Sequence, residues 1–118
     1  MSIDTFMESV NPALPVWGTP VQVERRNRIR VTMAAFAYEY HSESIMSDGD
    51  FDKLCLQINP SISTITDLTD PEQIRRYEKI DRFFKEEFSP YTGQWIYKHP
   101  ELDIVAQRYE RNYKVRNI

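Results

Sequence analysis

The sequence has few of the features that are typical of secreted and membrane-spanning proteins. It contains a single cysteine, Cys55, so an internal disulfide is excluded, and its leucine neighbours predict a buried thiol in a reducing compartment. No run of about 18 apolar residues occurs, so we expect no membrane-spanning segment. The amino terminus lacks the basic residues and the uninterrupted apolar stretch of a signal peptide. We therefore expect a cytoplasmic protein.

Glycine is also scarce, and negatively charged residues outnumber positively charged ones. The three glycines are isolated from one another, which excludes a glycine-rich phosphate loop. The net charge of -3 provides no overall positive field for nucleic acid, and we expect none as a partner. DNA binding is the third of the three functions that we consider, because the chain has a local basic cluster formed by Arg25, Arg26, Arg28 and Arg30.

Apolar and aromatic residues are abundant enough for one folded domain. The 118 residues are 41% hydrophobic and 13% aromatic, which exceeds what disordered chains carry. An irregular arm is predicted over 1–18, where prolines and a glycine recur, and a helical domain over 19–118. Apolar residues at steps of three and four predict an all-α fold of about four main helices. These helices are predicted at about 19–42, 48–58, 71–88 and from Pro100 onward.

Local residue types set the ends of these helices. Thr19 before Pro20, and Asp70 before Pro71, are typical of helix starts. Residues 59–70 predict a long loop anchored by apolar residues, and 89–98 predict two turns followed by a single helical turn. The predicted core positions are Ile29, Met33, Phe36, Ala37, Tyr40, Phe51, Leu54, Cys55, Ile58, Ile74, Tyr77, Ile80, Phe84, Phe88, Leu102, Val105, Ala106, Tyr109 and Tyr113.

The stretch IMSDGDFDKL, residues 45–54, carries three aspartates at alternate positions. A calcium loop of the EF-hand type needs a glycine at its sixth position and a glutamate at its twelfth, where this chain has Lys53 and Asn59. The calcium interpretation therefore fails, and no zinc spacing occurs either. Ser47 and Asp50 instead predict a helix N-cap, while Asp48 and Asp52, four residues apart, share one helix face.

Residues 37–54, AYEYHSESIMSDGDFDKL, carry a resemblance. The stretch resembles domain Ia, the amino-terminal helical module of bacterial NAD-dependent DNA ligases, over about residues 28–58. That module has Tyr followed by His or Tyr, then eight residues, then Asp-x-x-Tyr-Asp-x-Leu. Less specifically, SDGDFDKL, INP and TGQWIYKHPEL resemble small bacteriophage proteins described only as ligase-related.

The resemblance implies a site for nicotinamide mononucleotide or for the same half of NAD. In the ligases, these positions place aromatic rings against nicotinamide and aspartates on the ribose hydroxyls. The corresponding residues here are Tyr38, Glu39, Asp48, Phe51 and Asp52. Two of them depart from the pattern: Glu39 replaces His or Tyr, and Phe51 replaces Tyr. A carboxylate at position 39 suits a ribose or a cationic ring but repels phosphate.

No catalytic set is expected. KIDR, residues 79–82, lacks the glycine of the ligase Lys-x-Asp-Gly motif and lies within a predicted amphipathic helix. His41 near a helix end and His99 before Pro100 are interpreted as structural. We therefore predict a non-catalytic, bacteriophage-type binding protein that contacts a host protein, as an inhibitor of a host enzyme or defence system. The alternative is a binder of nicotinamide mononucleotide or NAD. Residues proposed for contact with a partner are Arg25, Arg26, Arg28, Trp95 and Tyr97.

Overall fold

The computed structural model describes residues 17–113, and these residues form an all-α fold without strands. The helices are α1 (Pro20–His41), α2 (Asp48–Gln57), α3 (Pro71–Glu87) and α4 (Leu102–Asn112), with a short 3₁₀ helix (Gln94–Lys98) before α4. The predicted fold class and the four main helices are confirmed. The predicted arm lies outside the described residues apart from 17 and 18. None of the described helices is both long enough and apolar enough to cross a membrane.

Side-chain caps fix where the helices begin. The Thr19 hydroxyl accepts from the backbone N–H of Gln22, whose side-chain oxygen accepts from the N–H of Thr19 in return. Ser47 accepts from the N–H of Asp50 at 3.1 Å, and Asp70 accepts from the N–H of Glu72. These caps are contained within three or four residues of sequence, which explains why the starts of α1, α2 and α3 were predicted correctly.

The last helix begins later than predicted. Pro100 was expected to open it, but α4 starts at Leu102, with Glu101 at its N-cap. The Nδ1 atom of the buried His99 accepts from the backbone N–H of Glu101 at 3.0 Å. This hydrogen bond, rather than proline at the first helical position, sets the entry to α4.

Helix α1 lies at the centre of the molecule and contacts α2, α4 and the 3₁₀ helix. Seven consecutive residues, 31–37, are buried, so the helix is enclosed on several faces and not along a single stripe. The described core consists of Val31, Met33, Ala35, Phe36, Ala37, Leu54, Cys55, Ile58, Phe83, Phe84, Trp95, Ile96, Val105 and Tyr109. One core prediction needs correction, because Tyr40 is 43% exposed. The core also contains residues that were not predicted, including Val31, Ala35, Phe83 and Ile96.

The loop over 59–70 is confirmed as a loop, but polar side chains hold much of it. Arg28 donates to the carbonyl oxygens of Asn59 and Ile62 at 3.0 and 3.1 Å. Thr64 is 1% exposed, and both its N–H and its hydroxyl donate to the Asp81 carboxylate. The predicted anchors Ile62, Ile65 and Leu68 are half-buried. The loop therefore lies over a buried ionic cluster.

Candidate functional site

Four of the five residues named by the ligase resemblance line one cavity. Tyr38 and Glu39 lie near the end of α1, while Asp48 and Phe51 lie in the first turn of α2. The cavity has a volume of about 340 Å³. Among residues 17–113, its lining consists of Ala34, Ala35, Tyr38, Glu39, Ser44, Ile45, Met46, Asp48, Phe51, Thr92, Gly93 and Gln94. The fifth residue, Asp52, is exposed and is not part of this lining.

The turn between α1 and α2 brings the two halves of the site together. Ser42 adopts a left-handed conformation with φ of 55°, and the N–H of Glu43 donates to the carbonyl of Ala37 at 3.0 Å. This capping pattern reverses the chain at the end of a helix. Residues 44–46 then pass along the cavity, and Ser47 caps α2 so that Asp48 and Phe51 face the end of α1.

The third wall of the cavity comes from the turn before the 3₁₀ helix. Thr92, Gly93 and Gln94 are about fifty residues from Glu39 in sequence and were predicted only as a turn. A Cβ atom at Gly93 would lie 3.4 Å from the Cβ of Ala35 and 3.7 Å from the Cζ of Phe51. The small residues at 34, 35 and 93 therefore keep this wall close to α1 while leaving the cavity open.

Two carboxylates and two rings give the cavity its chemical character. Glu39 and Asp48 are the charged residues of the lining, and no lysine, arginine or histidine is among the described residues that form it. Phe51 is half-buried against the core, whereas Tyr38 is 60% exposed at the rim. Of the other described lining residues, half are apolar and half are glycine or uncharged polar residues. This arrangement suits a small organic cation or a neutral ring that carries hydroxyl groups.

Glu39 is held in place by a tyrosine that the sequence did not associate with the site. The hydroxyl of Tyr97 lies 2.9 Å from the Glu39 carboxylate and 3.3 Å from its backbone carbonyl. Accepting this hydrogen bond, the Glu39 carboxylate raises the pKa of Tyr97 above its usual range. The contact joins residues 58 positions apart, and neither residue's local sequence reveals it.

The residues proposed for contact with a partner do not form one exposed surface. Arg28 is 3% exposed and Trp95 is 4% exposed, so the structure removes both from a surface role. Arg25 pairs with Asp67 and donates to the carbonyl of Thr64. Arg26 and Tyr97 are exposed.

A second cavity, of about 60 Å³, lies between α1, α3 and α4. It is too small for a nucleoside, because even a cavity of about 150 Å³ holds a molecule only of the size of benzene. Among residues 17–113, no three potential metal-ligating side chains of His, Cys, Asp or Glu come together.

Comparisons with known proteins add no relative: no family model, curated protein or solved structure matches this chain. The ligase resemblance therefore rests on the quoted residues alone.

Proposed function

We propose that the protein is a non-catalytic binding protein whose cavity between α1 and α2 recognises the nicotinamide–ribose unit shared by nicotinamide mononucleotide and NAD. The observation that carries the proposal is the convergence of Tyr38, Glu39, Asp48 and Phe51 on one open cavity of about 340 Å³. The ligase resemblance implies that these residues share one site, and the cavity lining agrees with that expectation.

The chemistry of the lining supports this ligand. The Phe51 ring offers a face for nicotinamide, while Asp48 and Glu39 offer acceptors for ribose hydroxyls or for the ring's positive charge. A hydrogen bond to a charged group contributes about 1.5–3 kcal/mol, so one carboxylate accounts for roughly a tenfold to hundredfold change in affinity.

Isothermal titration calorimetry with nicotinamide riboside, nicotinamide mononucleotide and NAD tests the proposal. We expect at least one of them to bind, and Asp48→Ala to weaken that binding by at least about tenfold. Asp52→Ala is the matched control, since Asp52 lies one turn further along α2 and outside the lining. No heat from any of the three ligands at millimolar concentration would overturn the proposal.

A second candidate function, contact with a bacterial host protein as an inhibitor, has its own observation. Two tyrosines are exposed next to Glu39: Tyr40 and Tyr97 are 43% and 50% exposed. The rings of Tyr40 and Tyr97 lie 5.1 Å apart. Tyrosine is enriched among the residues that dominate protein interfaces, so this group, the tyrosine patch, is the surface we assign to a partner.

The second candidate is tested by capture from bacterial lysate with the wild-type protein and a Tyr40→Ser/Tyr97→Ser variant. We expect the variant to lose a partner that the wild type retains. Tyr91→Ser is the control, because Tyr91 is 85% exposed and lies outside the patch. Equal capture by all three proteins would exclude the tyrosine patch as the contact surface.

A further inference from the structure

The cavity between α1 and α2 has an unbalanced charge. Two carboxylates, Glu39 and Asp48, contribute to its lining, and the described lining residues include no cationic side chain. The nearby Tyr97 hydroxyl hydrogen-bonds the Glu39 carboxylate but does not neutralise it. A ligand in this cavity therefore experiences a negative potential on two sides, from α1 and from α2.

We infer that the site selects nicotinamide nucleosides by charge, preferring the oxidised, unphosphorylated riboside to both the reduced riboside and the mononucleotide. The inference rests on the proposed recognition of the nicotinamide–ribose unit and names which member of that class the site takes. It depends on the charges of the lining, whereas the ligase resemblance implies a phosphorylated ligand.

Oxidation state matters because it changes the charge of the ring. The oxidised pyridinium ring carries one positive charge, which favours nearby carboxylates and the face of an aromatic ring. The reduced dihydropyridine ring is neutral and loses both contributions. Phe51 and the two carboxylates line one cavity. The reduced riboside, which has nearly the same shape as the oxidised riboside but lacks its positive charge, is therefore expected to bind more weakly.

Phosphorylation of the riboside adds negative charge and is therefore expected to weaken binding to this acidic cavity. A phosphate monoester adds about -1.5 to -2 charges at pH 7, so the mononucleotide has a net negative charge despite its cationic ring. Phosphate sites in proteins are built from arginine, lysine or converging backbone N–H groups. No arginine or lysine is present in the described lining to receive the phosphate. At the N-terminus of α2, where backbone N–H groups favour an anion, the Asp48 carboxylate opposes a phosphate with its own negative charge.

Competition calorimetry at pH 7.5 with nicotinamide riboside, its reduced form and nicotinamide mononucleotide tests the inference. For the wild type, we expect the oxidised riboside to bind at least about tenfold more tightly than either of the others. In Glu39→Gln, the amide oxygen can still accept from Tyr97, but the negative charge is gone. The preference for the oxidised over the reduced riboside and the preference for the riboside over the mononucleotide should both decrease. The reduced riboside should bind about as tightly as it does to the wild type. Asp48→Asn provides an independent second variant, and far-ultraviolet circular dichroism verifies that each variant is folded.

Asp52→Asn is the matched control for the overall charge of the protein. It removes the same charge from α2, but at a residue outside the lining, and should reduce the selectivity less than Asp48→Asn does. Mononucleotide or reduced riboside binding as tightly as the oxidised riboside would overturn the inference and leave the proposed function standing. Absence of binding by all three ligands would overturn the proposed function as well.

Discussion

His99 is a buried histidine in the protein's aromatic core. Its ring lies 4.9 Å from that of Phe83, and its Nδ1 atom accepts from the N–H of Glu101. Burial lowers the pKa of His99 to about 4, with Glu101 opposing the shift and Lys79 adding to it. The folded protein therefore keeps this imidazole neutral, and the interpretation of His99 as structural agrees with its role at the entry to α4.

This pKa predicts a loss of stability in mild acid. Between about pH 6.5 and 4, the unfolded chain binds a proton at His99 that the folded chain does not, so protonation favours unfolding as the pH falls. From pH 7 to 5, the free energy of unfolding should fall by about 2 kcal/mol. Urea unfolding at both pH values measures the change.

His41 provides the control for that measurement. It is exposed at the end of α1, so His41→Gln should retain the fall in stability, whereas His99→Gln should flatten it. An unchanged pH dependence in His99→Gln would contradict the assignment. Glu101, whose pKa is lowered chiefly by its hydrogen bonds with Arg76, contributes mainly at more acidic pH.

Cys55 is predicted to be chemically inert in the folded state. It is 1% exposed, and burial together with the charge of Asp52 raises the pKa of its thiol to about 12. Because the thiolate is the reactive form, an aromatic disulfide reagent at pH 8 should react only after denaturant is added. A Cys55→Ser/Leu56→Cys variant is the matched control: position 56 is 64% exposed, and its thiol should react at once.

Buried charge connects the helices and the long loop. Arg28 bonds Glu24 within α1 at 2.7 Å and Asp81 on α3 at 2.8 Å. Its guanidinium also lies 4.9 Å from the Phe84 ring centroid. Glu24 in turn accepts from the backbone N–H of Asn59 at the start of the loop. One arginine therefore joins α1, α3 and the loop, which is why a basic residue occupies a buried position.

Replacing this arginine should destabilise the whole fold. Arg28→Met removes the guanidinium that donates to two carboxylates and two loop carbonyls, and loss of one partner of a buried ion pair costs about 3–5 kcal/mol. Arg28→Lys should recover only part of this, since lysine cannot reproduce the planar fork of donors. Arg26→Met, on the exposed face of α1, should change stability by less than about 0.5 kcal/mol. Equilibrium unfolding in urea compares the three variants, and equal effects at 26 and 28 would contradict the role of Arg28.

The contrast between the caps and this ionic cluster shows what the sequence could predict. Thr19, Ser47 and Asp70 cap helices through bonds to residues two or three positions away, so their role was visible in the sequence. Arg28 meets Asp81 across 53 positions, and no local pattern distinguishes it from its exposed neighbour Arg26. The burial of Arg28 was not predicted, because it depends on partners that are distant in the sequence.

At the scale of the whole molecule, the candidate site was predicted in part. The ligase resemblance grouped Tyr38, Glu39, Asp48 and Phe51, and the turn between their two helices brings all four residues to one cavity. The wall at 92–94 and the hydrogen bond from Tyr97 depend on how the 3₁₀ helix packs on α1. Asp52 was grouped with Asp48 because they are four residues apart, but the cavity reaches only as far as the first turn of α2.

A cavity built from α1, α2 and the 92–94 turn couples ligand binding to global stability. A ligand that binds only the folded state at 100 times its dissociation constant stabilises it by about 2.7 kcal/mol. For 118 residues this corresponds to a rise in Tm of about 10 °C. Differential scanning calorimetry with nicotinamide riboside should show one transition moving upward as the ligand concentration increases. Ala34→Phe, which fills the cavity from α1, should lose the shift, and an equal shift in that variant would place the ligand elsewhere.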